Sequence, residues 1–427
     1  KNRTKETNMR TVGIIAEYNP LHTGHEYHLQ KAKETARADY AVVVLSPDYV
    51  QRGEPALFDK YTRAQMALLA GADLVLELPV CYATGSAEYF AEGAATLLDC
   101  LHTVDALCFG AESDDADTFL AAASILLEEP DAFSQTLGAY LRQGATYPAA
   151  RAEALATVCQ KKHGSRDMRG FIASPNNILG TEYCKTLLKR NSPIRPLPVG
   201  RLGNGYNSFT LNGSYCSATA LRFALSDGQI TETLLSYIPQ DCRKLFTEAC
   251  RTPLVLEDFL PLLLQKLLSE RSFSHILDIS PELSDRICAL RFSCIGKTYR
   301  EIISLLGAKQ ITEARIRRAL LHLILGIHSD TVESFRNDCT VYYAKILGFR
   351  KAAAPLLHEI KQKSSVPLIS KNSHAERTLS DLGRSMWDLD LYASHLYRGI
   401  RSCKYKAAFK SEYEISPLIS YTKESSM

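Results

Sequence analysis

The stretch Val12-Gly13-Ile14-Ile15-Ala16-Glu17-Tyr18-Asn19-Pro20-Leu21-His22-Thr23-Gly24-His25 decides the fold of this chain. An apolar run breaks at a polar loop that contains a proline, and a helix-like pattern follows the final histidine. A strand, a loop and a helix N-terminus in this order are how α/β folds bind a phosphate, because backbone N–H groups and the helix dipole point at the anion. Gly24 allows a triphosphate to approach the backbone closely. We therefore predict a phosphate-binding loop here.

Apolar runs and helix-like patterns alternate after this stretch. The predicted strands are residues 11–16, 40–45, 73–78, 104–109 and 194–199, and predicted helices lie at 24–37, 60–70 and 86–98. Apolar strands without polar alternation are typical of a parallel sheet covered on both faces. The alternation predicts an α/β fold with a Rossmann-like, doubly wound parallel sheet. Ligands of such sheets bind beyond the carboxyl ends of the strands, so the loops after the strands should carry the site.

The length of 427 residues is sufficient for two or three domains. We predict an α/β catalytic domain at 9–229, with a helical insertion near 114–165, and a mostly helical domain at 230–427. From residue 231 onward the chain has 28 Lys+Arg against 22 Asp+Glu, and the part before it has 22 against 25. A basic second half fits a polyanionic partner. Ordinary solvated helix faces explain so small an excess equally well.

Composition narrows the class of protein. No apolar run approaches the roughly 20 residues of a membrane span, so we expect no membrane association. The polar start, without an apolar segment, predicts no signal peptide. The 12 cysteines are scattered and include no C-x-x-C pair, which predicts reduced thiols in the cytoplasm and no metal site built from protein side chains.

The loop after the second predicted strand concentrates charge. It carries Arg52, Asp59, Lys60 and Arg63 on the expected face of the sheet. Arginine and lysine there could neutralise phosphates or a carboxylate substrate, and we predict that role. The alternative is a solvated loop in which Asp59 caps the next helix.

Later loops add further candidate ligands. Gly110 ends the fourth strand, Asn176 opens a helix, Arg201 lies between glycines, and Ser217 and Thr219 start another helix. Each has a structural alternative, either a turn glycine or an ordinary helix cap. Taken with the first loop, Ser217, Thr219 and the N-terminus of their helix favour a second phosphate contact.

Two motifs in these loops resemble those of a known protein family. H-x-G-H after a first strand, with S-x-T-x-[IL]-R at residues 217–222, resembles the nucleotidyltransferases that attack the α-phosphate of ATP and release pyrophosphate. The ten residues from Ala16 to His25 are similar to those of one branch, the bacterial tRNA(Met) cytidine acetate ligases. The resemblance covers nearly the whole chain from Met9.

This resemblance implies a reaction and its participants. ATP, accompanied by Mg²⁺, activates acetate as acetyl-adenylate, and the acetyl group passes to N4 of the wobble cytidine of elongator tRNA(Met), giving N4-acetylcytidine. His22 and His25 are the implied catalytic residues. The implied ATP contacts are Ile15, Ala16, Glu17, Tyr18, Asn19, Pro20, Leu21, His22, Thr23, Gly24, His25, Gly110, Asn176, Arg201, Ser217 and Thr219.

The helical half contains one strongly basic helical stretch. Arg315 and Arg318 are three residues apart and share a helix face, with Arg317 nearby. Such a helix could follow an RNA backbone, which makes these arginines the candidates for tRNA binding. A solvated basic face over an internal core is equally consistent with the pattern. The candidates for stacking on unpaired bases are Tyr299, Tyr342, Tyr343 and Phe349, although such residues more often belong to a core.

Two other functions remain open from the sequence. A small-molecule adenylyltransferase shares both motifs but does not explain the long helical half. A non-catalytic nucleotide- or RNA-binding protein of the same fold does not need His22, His25 and Arg201 together.

Overall fold

A computed structural model describes residues 9–163, 168–200, 216–225, 229–309 and 311–420, without the side chains of 160–163, 169 and 173. Its strands are β1 (Thr11–Ala16), β2 (Tyr40–Leu45), β3 (Tyr49–Val50), β4 (Glu54–Pro55), β5 (Leu74–Glu77), β6 (Ala106–Ala111), β7 (Arg195–Gly200), β8 (Ala344–Arg350), β9 (Leu368–Ile369) and β10 (Leu418–Ser420).

One sheet dominates the described part of the chain. Its strand order is β10-β8-β5-β2-β1-β6-β7, with β9 beside β8, while β3 and β4 form a separate hairpin. The pairs β1–β2, β2–β5, β1–β6 and β6–β7 are all parallel. Strand order reverses at β1, so the crevice between the carboxyl ends of β1 and β6 is the expected ligand site. The predicted doubly wound sheet is confirmed.

Helices cover both faces of the sheet in the first half. They are α1 (Thr23–Ala36), α2 (Lys60–Leu69), α3 (Val80–Ala83), α4 (Ala87–Cys100), α5 (Ala116–Glu128), α6 (Asp131–Arg142), α7 (Tyr147–His163), α8 (Met168–Ala173), α9 (Pro175–Lys189) and α10 (Ala218–Leu225). Because helices cover both faces, residues 41–45 of β2 have no exposed surface. Helices α5 to α7 occupy the stretch predicted as a helical insertion, and α5 packs on α9.

The second half is helical over most of its length. Its helices are α11 (Glu232–Ser236), α12 (Arg243–Ala249), α13 (Leu260–Ser269), α14 (Pro281–Leu290), α15 (Tyr299–Leu306), α16 (Glu313–Leu325), α17 (Ser329–Asn337), α18 (Ala354–Lys363), α19 (Asn372–Thr378) and α20 (Asp381–Tyr405). Short 3-10 turns lie at Gln240–Cys242, Leu256–Phe259, Arg291–Cys294, Lys351–Ala353 and Glu412–Glu414.

The second half also returns to the first sheet, which the sequence analysis did not predict. Strand β8 pairs antiparallel with β5, and both β9 and β10 pair with β8. The chain therefore builds its sheet from both halves, rather than from residues 9–229 alone. Tyr342 and Tyr343, predicted to stack on bases, are buried next to β8, and Phe349 packs against the core.

Candidate active site

A cavity of about 270 Å³ opens at the carboxyl ends of β1, β6 and β7. The predicted contacts that line it are Ile15, Ala16, Glu17, Tyr18, Asn19, His22, Gly24, His25, Arg52, Gly110, Asn176, Ser217 and Thr219. Residues from five separate loops thus meet at one place, as expected for the switch point of a doubly wound sheet. Pro20, Leu21 and Thr23 were predicted as contacts but do not line the cavity, and Arg201 lies outside the described residues.

The two histidines of the motif form a stacked pair. The ring centroids of His22 and His25 are 3.8 Å apart, with an interplanar angle of 28°. Nδ1 of His22 accepts the Gly24 N–H at 3.1 Å, and Nδ1 of His25 accepts the His22 N–H at 3.3 Å. A nitrogen that accepts a hydrogen bond carries no proton, so each neutral ring is protonated at Nε2. Both rings therefore line the cavity as tautomers that carry their proton on Nε2.

Backbone N–H groups in the first turn of α1 already donate hydrogen bonds within the protein, which corrects one prediction. We expected Thr23 and Gly24 to offer backbone N–H groups to phosphate. Instead the Thr23 N–H donates to the carbonyl of Tyr237 at 2.8 Å, and the Gly24 N–H donates to His22. The helix N-terminus is capped from within because the His22 side chain is its N-cap. These two amides are therefore engaged within the protein, while both imidazoles line the cavity.

Tyr18 closes the cavity beside His25. Their ring centroids are 4.9 Å apart, and the Tyr18 side chain is buried. Its hydroxyl has no hydrogen-bond partner among the described residues. Burial raises the pKa of Tyr18, so the phenol stays protonated and is a hydrogen-bond donor.

Glu17 ties the motif to the β3–β4 hairpin. Its Oε1 accepts the Gln51 N–H at 2.9 Å. Burial raises the pKa of Glu17 more than this hydrogen bond and the charge of Arg222 lower it. The hairpin also supplies Arg52 and Glu54 to the cavity wall. A carboxyl group with a raised pKa in a cleft is typical of a functional site.

Arg222, the last residue of the second motif, holds the cavity together. Its Nη1 donates to the carbonyl of Asn19 at 2.6 Å, and its Nη2 lies 3.4 Å from Thr219 Oγ1 and 3.5 Å from Glu54 Oε1. Ser217 Oγ accepts the Ala220 N–H at 3.1 Å and so caps α10. The arginine thus joins α10, the first loop and the hairpin, a role that the sequence analysis did not assign.

Asn176 is held at the opposite side of the cavity. Its Nδ2 donates to Glu112 Oε1 at 2.7 Å, and Ser174 Oγ donates to the other oxygen of Glu112. The neighbouring Asn177 accepts the Glu112 N–H at 3.0 Å. These contacts fix the start of α9 next to Gly110 at the end of β6.

Three residues of the charged loop do not reach the cavity, which corrects their predicted role. Asp59 caps α2 through the Tyr61 and Thr62 N–H groups, each at 3.0 Å, and pairs with Arg401 at 2.6 Å. Lys60 is fully buried against Glu77. Only Arg52 of the four predicted residues lines the cavity.

The third of these residues, Arg63, supports the site from behind. Its guanidinium is fully buried and donates to the carbonyls of Glu17, Ser46, Pro47 and Phe58. Carbonyl groups at the ends of two strands therefore satisfy the buried cation. The charge of Arg63 therefore fixes the geometry of the surrounding loops and does not contact a substrate.

The arginines of the basic helix α16 make contacts within the molecule. Arg318 pairs with Asp278 at 2.8 Å, and Arg315 Nε donates to the Asp278 carbonyl at 3.0 Å. Arg317 lies 2.5 Å from Glu313 and 3.8 Å from Glu54 of the cavity wall. Arg317 thus joins the helical half to the cavity wall, and a role of the three arginines in tRNA binding remains a prediction.

Other cavity residues were missed by the sequence analysis. They are Ile14, Tyr27, His28, Gln51, Glu54, Phe90, Phe109, Leu179, Tyr183, Val199, Gly200, Cys216, Ala218 and Arg222. Several lie on the inner faces of α1, α4 and α9. An apolar residue at such a position in a helical pattern is normally predicted to belong to the hydrophobic core. Arg222 had a signal in the sequence, because it is the arginine of the second motif.

Two features are absent from the described ranges. They contain no group of three or more His, Cys, Asp or Glu side chains arranged to hold a metal ion. No helix within them is long and apolar enough to cross a membrane.

Comparison with known proteins adds an independent line of evidence. The family model described as HIGH nucleotidyl transferase matches residues 9–412. The tRNA(Met) cytidine acetate ligase of Thermoanaerobacter sp. (strain X514) is 40% identical over 392 residues, which are 91% of this chain and 95% of that relative. The protein of the same name from Clostridium perfringens is 36% identical over 417 residues, 96% of this chain and 100% of the relative.

Solved structures agree with these relatives. Two crystal structures of Thermotoga maritima TmcAL, one bound with α-thio ATP and one apo, match with TM-scores of 0.89 and 0.91. Each is 31% identical and covers 97% of this chain and 100% of that chain. The chain therefore belongs to the family of these proteins.

Proposed function

We propose, because this chain belongs to the HIGH nucleotidyltransferase family and within it to the tRNA(Met) cytidine acetate ligases, that it joins acetate to elongator tRNA(Met) at the expense of ATP. The acceptor is N4 of the wobble cytidine, and the product is N4-acetylcytidine. The observation that supports this most is the stacked His22–His25 pair that lines the cavity at the switch point of the sheet.

The first step activates acetate. One carboxylate oxygen of acetate attacks the α-phosphorus of ATP, the bond to the bridging oxygen breaks, and pyrophosphate leaves. His22 and His25 donate hydrogen bonds to the phosphate oxygens as charge moves toward pyrophosphate. Ser217, Thr219 and Arg201 hold the outer phosphates, while Gly110 and Asn176 lie on the adenosine side. Catalysis is then mainly positioning and charge stabilisation.

The second step transfers the acetyl group. The cytidine amine attacks the acetyl carbonyl of acetyl-adenylate, AMP leaves with the electron pair of the anhydride bond, and the amine loses one proton. No acyl-enzyme is required. Consistent with this, burial raises the pKa values of Cys108 and Cys216 to about 12, so both thiols beside the site stay protonated and are poor nucleophiles.

Magnesium fits this site only through its substrate. No cluster of protein ligands for a metal exists among the described side chains, and Mg²⁺ commonly binds through substrate phosphates and water. When bound with ATP, the ion would neutralise phosphate charge. Glu17 and Glu54 are the carboxylates of the cavity wall that would face its water ligands.

Exchange of labelled pyrophosphate into ATP tests the first step. We expect exchange that depends on acetate and is lost, at least about 100-fold, in His25→Ala, because one donor to developing charge is worth about 100- to 1,000-fold. The exposed His102 is the matched control, and His102→Ala should exchange normally. Exchange that instead depends on nicotinamide mononucleotide would favour a small-molecule adenylyltransferase. No exchange with any acid would favour a non-catalytic protein.

A further inference from the structure

Two large apolar side chains protrude from the helical half. Phe292, on the 3-10 turn after α14, is 64% exposed, and Ile295, in the loop that follows, is 59% exposed. Leu268 on the adjacent α13 is 46% exposed, and α13 packs on this turn. Single exposed apolar residues are ordinary, but neighbouring exposed apolar residues mark interaction sites.

Positive charge surrounds these side chains. From Arg286 to Arg300 the chain carries four basic residues and no acidic one. The Arg291 guanidinium lies 5.0 Å from the ring centroid of Phe292. Arg300 is exposed and Lys297 is partly exposed. An aromatic ring beside basic groups is the combination that binds unpaired nucleotides, whose bases stack while their phosphates pair with cations.

The loop that presents Phe292 is held in place. Arg291 Nη1 donates to the carbonyl of Glu270 at 2.7 Å, and Arg286 donates to the carbonyls of Leu305 and Leu306 at 2.9 and 3.0 Å. Gly296 makes the turn with a φ of +79°, a conformation that favours glycine. An ordered loop loses little conformational entropy when it binds a partner.

Nearby acidic groups are engaged in local contacts. Glu301 accepts the N–H and O–H of Thr298, both at 2.8 Å, in the capping box of α15. Glu257 accepts the Tyr299 N–H at 3.0 Å. Glu301 and Glu257 are thus held by donors of Thr298 and Tyr299, while the exposed Asp285 of α14 lies directly before Arg286.

Contacts connect this loop to the active-site cavity. Tyr299 follows the loop as the first residue of α15 and lies within electrostatic range of Arg317 on α16. Arg317 is 3.8 Å from Glu54, which lines the cavity. Helix α15 packs on α16, and α16 packs on β4 of the hairpin, so these elements link the loop to the cavity wall.

We propose that Leu268, Arg291, Phe292, Ile295, Lys297 and Arg300, here named the Phe292 surface, bind an unpaired segment of the tRNA. Phe292 stacks on a base, and the basic residues contact flanking phosphates. The inference rests on the proposed function, which supplies the tRNA as partner. Charge complementarity favours RNA over a second protein.

Binding of elongator tRNA(Met) to purified variants of the full chain tests this proposal. We expect Phe292→Ala to weaken binding about 10-fold or more, and Phe292→Tyr, which retains a stacking ring, to bind as the wild type does. Lys297→Ala should reduce the salt dependence of binding by about one phosphate contact. Phe409, 49% exposed on another segment, is the matched control, and Phe409→Ala should bind normally.

The outcomes separate the two proposals. If the wild-type chain does not bind tRNA, the proposed function fails. If the wild type binds and Phe292→Ala binds equally well, the Phe292 surface is wrong while the proposed function stands. A change in oligomeric state of Phe292→Ala on sedimentation, with tRNA affinity unchanged, would identify a protein interface and also overturn the inference.

Discussion

Glu17 shows how a residue at the cavity wall is tuned by its surroundings. Burial holds its pKa above the ordinary value of 4.5, against the opposing effects of the Gln51 N–H and Arg222. A carboxyl group whose pKa is higher in the folded state binds its proton more tightly there. Its contribution to stability therefore falls as the pH rises from 4.5 through the folded pKa.

Glu17→Gln tests this directly because glutamine does not titrate. We expect the unfolding temperature of the variant, relative to the wild type, to increase as the pH is raised from acid to neutral. Glu282 is the control with the opposite sign, since hydrogen bonds from its own backbone and Ser280 lower its pKa. A difference for Glu17→Gln that stays constant with pH would contradict the assignment.

Arg52 and Arg63 belong to one charged loop but should respond differently to substitution. Arg63→Lys removes donors from buried carbonyls and should destabilise the fold by about 2 kcal/mol or more. Arg52→Lys, at the cavity wall, should stay within about 0.5 kcal/mol of the wild type and raise the KM for ATP or acetate. Urea unfolding and exchange kinetics measure the two effects, and equal loss of stability in both variants would refute the distinction.

Sequence reasoning located the residues of the site better than their roles. His22, His25 and Gly24 were found because a motif follows a strand, and strand ends converge in a doubly wound sheet. The role of Arg63 depends on its hydrogen bonds to carbonyl groups of residues up to 46 positions away in the sequence. A local sequence pattern contains no information about such distant partners.

At the scale of elements, the β3–β4 hairpin joins the helical half to the catalytic loop. Gly53 has a φ of +75°, and a Cβ added there would lie 2.4 Å from the backbone nitrogen of Arg318 on α16. The hairpin can approach the helix backbone only because this residue has no side chain. Glu17 and Arg222 contact the same hairpin on its other side.

Gly53→Ala should therefore lose more stability than its backbone angle alone explains. Gly144 has a similar φ of +84° with nothing within 4 Å of an added Cβ, so Gly144→Ala measures the angular cost alone. We expect the first variant to be less stable by about a further 1–3 kcal/mol, from overpacking against α16. Equal free energies of unfolding for the two variants would show that the close packing of Gly53 against α16 does not affect stability.

Strand boundaries were predicted to within one or two residues where strands were apolar and parallel. The predicted strand 104–109 is Ala106–Ala111, and 40–45 is unchanged. Strand β8 was missed because its Lys345 interrupts the apolar run and because its antiparallel partner β5 lies far away in sequence. The presence of Lys345 in β8 is explained only by the pairing of this strand with the distant β5.

At the scale of the whole molecule, a buried charge cluster joins the end of the chain to the sheet. Lys60 lies 2.7 Å from Glu77 and 3.2 Å from Glu412, and Lys345 lies 2.8 Å and 2.9 Å from the same two carboxylates. Burial opposes ionisation of Glu412, but Lys60 and Lys345 outweigh it and hold the pKa of that carboxyl well below its usual range. Arg398 adds a third cation, with its Nε 3.4 Å from Glu412 Oε1, so Glu412 is the carboxylate that these positive charges share.

Glu412→Gln should destabilise the protein by about 3–5 kcal/mol near neutral pH, because it leaves buried cations unbalanced. The loss should shrink as the pH falls below 4.5, because the carboxyl group then takes up a proton in the unfolded chain while it stays charged in the folded protein. Glu359, which pairs with the half-exposed Lys363, is the matched control, and Glu359→Gln should cost less than about 1 kcal/mol. Equal costs in urea unfolding would contradict the structural role of the cluster.

The most direct test of the proposed function is the product itself. The full chain is incubated with elongator tRNA(Met), ATP and labelled acetate, and the digested tRNA is analysed by mass spectrometry. We predict one labelled nucleoside, N4-acetylcytidine at the wobble position, and none with His25→Ala. Pyrophosphate release without label in the tRNA, or label at another nucleoside, would contradict the account.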